Sequence, residues 1–158
     1  MTFTDSISTC FRKYFTISGR ASRSEFWWFE LFTLLGSIVF TVIDNFIFEI
    51  DYGDTGILGS LFSLTILIPT ITVTTRRLHD INRSGFLQIW WALIALGLAA
   101  LFAFIGVLSG DLGAISTVLI IVSVVIVPLV WALLWLIKAS DIGENNFGTP
   151  PYLPKVSA

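Results

Sequence analysis

The residues of this chain that could do chemistry stand in three short polar stretches. The first is Gly19-Arg20-Ala21-Ser22-Arg23-Ser24-Glu25, and the second runs from Arg76-Arg77-Leu78-His79-Asp80 to Arg83-Ser84-Gly85-Phe86. The third extends from Asp141 to Gly148. Guanidinium forks suit phosphate and carboxylate, so Arg20, Arg23, Arg76, Arg77 and Arg83 form a candidate site for an anion or a lipid headgroup. The competing reading is structural. In it the arginines satisfy helix-end carbonyls, pair with Glu25 and Asp80, and fix topology. His79-Asp80 invites acid–base chemistry, because His titrates near neutral pH and a carboxylate can orient it. Adjacent residues rarely point at each other, however, and no nucleophile is clearly positioned, so no catalytic residue is assigned. One His and one Cys supply no four-ligand zinc site without carboxylates and exclude bis-histidine haem within one chain. No metal and no cofactor is expected, and Cys10 alone forms no intramolecular disulfide.

The elements that must position these residues are apolar. Hydrophobic residues make up 55% of the chain and charged residues 13%, with a mean hydropathy of +0.86. That balance belongs to membrane proteins. Four segments, about 26–48, 57–75, 86–108 and 114–137, each approach the roughly 20 residues that a helix needs to cross a bilayer. The nine basic residues fall in the N-terminal arm, the loop between segments two and three, and the C-terminal tail. The other two loops carry Glu49, Asp51, Asp54 and Asp111 and no basic residue. The positive-inside rule then places both termini and the basic loop in the cytoplasm of a multi-pass membrane protein. No cleavable signal peptide is expected, since the first apolar run is too long for one. The expected fold is all-α, a four-transmembrane-helix bundle, with residues 1–158 as a single membrane domain. Its parts are an arm over 1–25, the four spans, and a cytoplasmic tail over 138–158.

Within the arm, Phe3, Ile7, Cys10, Phe11, Tyr14 and Phe15 share one helical face, so residues 3–15 read as an amphipathic helix on the inner leaflet. A helix packed on the bundle ends is the alternative. Ser22-Arg23-Ser24-Glu25 fits a capping box at the start of helix one. All six tryptophans lie in the cytoplasmic halves of their helices, as an interfacial belt requires. Helix two carries Pro69 and an inner half crowded with threonine, and helix four carries Pro128. Small residues at 92, 95, 99, 103 and 106 form one stripe on helix three, suited to internal packing or to a homodimer seam. Short motifs recur at an offset near 60, around Ser22/Asn82 and Arg77/Lys138. They suggest a parallel repeat of two helical hairpins, with chance similarity at helix ends as the competitor. Inside the spans only Glu30 and Asp44 are ionisable, and neither lies at the midplane. That weakens a proton-coupled pump without excluding a channel for neutral solutes.

Three stretches resemble a known family: GRASRSEFWWF over 19–29, RRLHDINRSGF over 76–86 and ENNFGTPP over 144–151. Together they resemble the bacterial inner-membrane family catalogued as domain of unknown function 805, over nearly the whole chain. Members of that family usually carry Trp where this chain has Phe86, and Arg where it has Asn146. The resemblance implies a four-helix membrane protein and brings no established activity, substrate or catalytic residue. The leading expectation is a non-enzymatic module whose basic cytoplasmic face binds anionic lipid or a membrane-protein partner. A small transporter or channel, with Glu30 and the threonines of helix two lining a vestibule in a homo-oligomer, comes second. A membrane enzyme acting on a phosphorylated lipid comes third. Nucleic acid is not an expected partner, because the arginines sit close to the membrane plane.

Overall fold

The computed structural model describes residues 1–48, 56–108, 118, 122 and 126–151. Its named helices are α1 (Phe3–Arg12), α2 (Arg23–Phe48), α3 (Ile57–Asp80), α4 (Leu87–Leu108) and α5 (Val127–Ile137). No strand occurs among the described residues. Among the described residues three helices are long and apolar enough to cross a membrane: Arg23–Phe48, Ile57–Asp80 and Leu87–Val107. The fourth expected span, 114–137, falls largely outside the described residues, as do the acidic loops around 49–55 and 109–113 and the tail beyond 151. The chain divides into two compact units. One comprises residues 1–82 with the segment that begins at Ser140, and the other residues 83–139. In the second unit α4 packs on α5.

In the first unit α2 and α3 form an antiparallel hairpin. At one end Asp44 of α2 caps α3, accepting from Leu58 N at 3.0 Å and from Gly59 N at 2.7 Å. The cap residue of α3 itself is Gly56, which has no side chain to offer. A carboxylate borrowed from the neighbouring helix therefore satisfies the orphan N–H groups and meets the positive end of the helix dipole. Gly56 makes this possible, since a Cβ there would stand 2.0 Å from Asp44 Oδ2. Halfway along, Phe62 packs across Gly36, whose missing Cβ would lie 2.3 Å from the ring. Phe32 and Phe40 flank the same ring at 5.9 and 4.8 Å.

Helix α3 runs past the expected end at Thr75 to Asp80. The expected end followed apolarity, and backbone hydrogen bonding does not stop where the bilayer does. Val73 and Leu78 are buried, and Arg77 pairs with Asp80 one turn on, so the last turns remain worth forming. The helix ends at Asp80 with Ile81 as its cap, and the next residue, Asn82, takes φ +56, a left-handed conformation that Asn tolerates. Arg76, Arg77, His79 and Asp80 are thus helical residues rather than loop residues.

Helix α1 starts with a capping box. Thr2 Oγ1 accepts from Asp5 N at 3.2 Å, and the Asp5 carboxylate accepts from Thr2 N at 3.3 Å. Those two bonds hold the Asp5 carboxyl below its ordinary range. Ser6, Thr9 and Cys10 face inward and are buried. Phe3 meets Trp28 edge-on at 5.8 Å, and Phe11 meets Phe29 and Phe32 at 6.0 and 6.1 Å. The helix therefore lies along α2 from Glu25 to Phe32. Just beyond it, Tyr14 Oη donates to the Thr65 carbonyl of α3 at 2.8 Å.

Candidate functional site

The end of the hairpin where α2 begins and α3 finishes holds a buried ionic cluster. Arg76, Arg77 and Asp80 are 0% exposed, Glu25 3% and Arg20 4%. Charged side chains are almost never buried to that extent unless paired. Here three guanidiniums face two carboxylates, so one positive charge remains over. The C-terminal dipole of α3 and a set of main-chain carbonyls offset it.

Each pair follows from local structure. Ser22 Oγ accepts from Glu25 N at 3.2 Å and so caps α2. The Glu25 carboxylate does not turn back to complete a capping box; it accepts from Arg76 Nη1. Ser6 of α1 donates to the Glu25 carbonyl. Asp80 is divided between two arginines, with Oδ1 accepting from Arg20 Nε at 2.9 Å and Oδ2 from Arg77 Nη1. Its neighbour His79 is therefore not its partner. His79 Nδ1 donates to the Gly19 carbonyl at 3.1 Å, and the ring stacks on Phe147 with centroids 3.9 Å apart. That removes the pairing on which an acid–base role for His79-Asp80 depended.

Arg20 is the hub. Its five N–H groups reach Asp80 Oδ1 and the carbonyls of Asp80, Asp141, Gly143 and Gly148, at 2.9, 3.4, 2.7, 2.6 and 3.2 Å. The C-terminal segment can offer those carbonyls because it is folded back on itself. Asn145 and Gly148 exchange main-chain bonds at 3.2 and 3.0 Å, and Gly143 and Gly148 take positive φ. Two further bonds fasten it to α3, from Asp141 N to the Asp80 carbonyl at 3.1 Å and from Asn145 Nδ2 to the His79 carbonyl at 2.9 Å. Ala21 N donates to the Arg76 carbonyl at 2.9 Å. One arginine thus joins the N-terminal arm, the end of α3 and the C-terminal segment.

The five arginines singled out in the sequence separate into two groups. Arg20, Arg76 and Arg77 come together with Glu25 and Asp80, and none presents an open face. Arg23 is exposed on the first turn of α2 and makes no ion pair among the described residues. Arg83 belongs to the other unit, where its guanidinium lies over the Trp135 ring, 4.5 Å from the centroid. The threonines of α3 turn inward on their own helix: Thr65, Thr74 and Thr75 donate to the carbonyls of Leu61, Thr70 and Ile71 at 2.8, 2.7 and 2.8 Å. Their protons are not offered to a vestibule.

Two buried features carry no sequence signal. Nε and Nη2 of Arg76 have no hydrogen-bond partner among the described residues. The Cys10 thiol lies close enough to feel that charge, yet burial, with Glu25 reinforcing it, pushes the thiol pKa up to about 12. Cys10 is thus an inert thiol rather than a nucleophile. Main-chain acceptors such as Gly143 and Gly148 are likewise invisible to a reading by side-chain type.

Apolar helices long enough to cross a bilayer, two of them forming a hairpin whose end is held by buried ion pairs, define a helical integral membrane protein. The chain belongs to the family described as protein of unknown function DUF805, whose model matches residues 14–149. It is 34% identical over 85 residues to the inner membrane protein YhaH of Escherichia coli strain K12, covering 54% of this chain and 67% of that relative. It is 34% identical over 84 residues to the inner membrane protein YhaI of the same strain, covering 52% of this chain and 64% of that relative. No solved structure matches the chain.

Proposed function

We propose that this protein is a non-enzymatic inner-membrane module whose cytoplasmic face engages anionic lipid headgroups. The observation that carries the reading is the division of labour among its arginines. Arg20, Arg76 and Arg77 are consumed by a buried frame, while Arg12 and Arg23 are left exposed, as are the rings of Trp27 and Trp28. Basic residues at an anionic surface contribute about 1 kcal/mol each, and indoles favour the headgroup level. Arg83 is exposed as well, with its guanidinium over the Trp135 ring.

The topology in this reading is four spans with both termini in the cytoplasm. The chain leaves α3 at Asn82 and returns at Asp141, whose N–H bonds to the Asp80 carbonyl. A chain that leaves and returns at one end of a hairpin crosses an even number of times between. Helix α4 supplies one crossing in this reading, and the expected span 114–137, which lies largely outside the described residues, is assigned the other. The basic residues at that end favour the cytoplasm. Helix α1, with Phe3 and Phe11 along α2, then lies in the inner leaflet rather than free in solution.

The test is lipid retention by native mass spectrometry of the full chain in mild detergent. Arg12→Gln with Arg23→Gln should lower retention of phosphatidylglycerol and cardiolipin several-fold relative to phosphatidylcholine, with the melting temperature unchanged. Unaltered retention by a folded double variant sinks the headgroup reading. Retention by a dimer alone transfers the site to a homo-oligomer.

A further inference from the structure

Glu30 stands in the body of α2, and no hydrogen bond or ion pair of its carboxylate occurs among the described residues. The only basic residue of α2 is Arg23, seven positions away, about 10 Å along the axis. Glu30 lines a groove of 750 Å³ together with Trp27, Trp28, Leu31, Leu34 and the hydroxyl residues Thr33 and Ser37 of α2 and with Ile66 of α3. That is the size of a pocket for a drug-sized molecule. An ionised carboxylate surrounded by hydrocarbon is costly unless paired. The groove itself offers no cation to pair with it.

What completes such a groove follows from its chemistry. It has one negative charge, two indoles and a wall that is otherwise mainly hydrocarbon, the side chains of Thr33 and Ser37 being its other polar groups. A hard metal ion needs several oxygen ligands, and no group of three or more His, Cys, Asp or Glu that could hold a metal occurs among the described residues. A polyhydroxylated solute needs many hydrogen-bond partners, and the wall is mainly hydrocarbon. A cation whose charge is spread over an apolar body satisfies all three features. It is weakly hydrated, it pairs with the carboxylate, and it lies favourably against indole faces.

We propose that this groove binds a lipophilic organic cation, a quaternary ammonium or phosphonium with aromatic or alkyl substituents, with Glu30 as counter-ion and Trp27 and Trp28 as its aromatic walls. Trp27 and Trp28 serve both readings, but Arg12 and Arg23 take no part here and Glu30 takes none in headgroup binding, so substitutions at those residues let either reading fail without the other.

The test is equilibrium dialysis of tetraphenylphosphonium against the full chain in phosphatidylcholine nanodiscs. Wild type should bind it saturably. Glu30→Gln should weaken binding by about tenfold or more, as expected for loss of a charge-assisted contact. Glu30→Asp should retain binding, and Glu144→Gln, on the exposed tail, should leave it unchanged. Tetraphenylborate, equal in shape and opposite in charge, should not compete. Absence of saturable binding to wild type overturns the proposal. So does equal binding to Glu30→Gln, or competition by tetraphenylborate, which would reveal an apolar groove indifferent to charge. Displacement of the probe in proportion to added phosphatidylethanolamine also overturns it, because the occupant is then a lipid amine.

Discussion

Tyr14 donates its hydroxyl to the Thr65 carbonyl at 2.8 Å, and that carbonyl is the one whose helical partner Pro69 removes. In an α-helix the N–H of residue 69 would bond to the carbonyl of residue 65, and proline has no N–H. A proline inside an apolar helix is tolerated where a neighbouring group re-satisfies the freed carbonyl. Here a phenol from the N-terminal arm does so, which ties the arm to the proline.

Tyr14→Phe should therefore lower stability by about 1 kcal/mol, the net worth of a typical hydrogen bond. In a Pro69→Ala background the helix restores its own bond, and the same substitution should cost nearly nothing. The coupling is read from a double-mutant cycle of thermal or denaturant unfolding in detergent. An equal cost in both backgrounds would show that Tyr14 acts by packing alone.

Glu25 and Arg76 are both buried, and neither has another charge of opposite sign as a direct partner among the described residues. Removing one member strands the other, which for a fully buried pair costs about 3–5 kcal/mol. Glu25→Gln should lower the melting temperature far more than Glu144→Gln on the exposed tail. Glu25→Gln combined with Arg76→Met should recover much of the loss, since no charge is then left unpaired. A double variant as unstable as Glu25→Gln alone would count against this account.

The polar end of this fold was legible in sequence because opposite charges stood at opposed helix ends. Glu25 follows a Ser cap at the start of one apolar run, and Arg76-Arg77 closes the next. What was not legible has physical causes. Hydropathy marks the thickness of the bilayer and not the end of the hydrogen-bond ladder, so α3 outruns its apolar segment to Asp80. Main-chain carbonyls have no sequence identity, so the clamp of Arg20 on Gly143 and Gly148 could not be read from residue types. Asp44 looked like a lone acid near the outer end of its span. Its role as the cap of a different helix depends on tertiary packing, and the only trace in sequence is Gly56, a helix start without a capping side chain.

That cap gives a further expectation. Asp44→Ala should cost about 1–2 kcal/mol, as for the loss of an N-cap. Gly56→Ala places a methyl where the carboxylate sits, 2.0 Å from Oδ2, and should cost a similar amount in wild type. With Asp44 already truncated the methyl has nothing to displace, so the double variant should be little worse than Asp44→Ala. Additive losses would show that Gly56 is needed for another reason.

Cys10 supplies the pH dependence. Its thiol has an ordinary pKa of 9.0 and is pushed up to about 12 in the folded chain. The folded state thus holds its proton more tightly than the unfolded state does. Stability is then fully present below pH about 9 and declines as pH rises from there towards 12, by roughly 1.4 kcal/mol per pH unit within that window. Wild type should lose stability above pH 9 more steeply than Cys10→Ala, and the native thiol should resist maleimide at pH 7.5 until the protein is unfolded. Rapid native labelling, or parallel profiles for the two proteins, would contradict the burial.

The last expectation concerns Arg20, whose side chain spends all five N–H groups at once. Lysine keeps the charge but has three donors on one atom and cannot fork between Asp80 and the carbonyls of Gly143 and Gly148. Arg20→Lys should therefore leave the frame standing, because Arg77 still holds Asp80. It should release the C-terminal segment, since the loss of two carbonyl contacts at about 1 kcal/mol each corresponds to a factor of roughly 10–30 in its opening equilibrium. Chymotryptic cleavage at Phe147 and hydrogen exchange at the Asp141 and Gly148 amides should accelerate by that factor, with the melting temperature of the helical bundle nearly unchanged. A segment as protected in Arg20→Lys as in wild type would mean that Asp141 N–H and Asn145 hold it without the arginine.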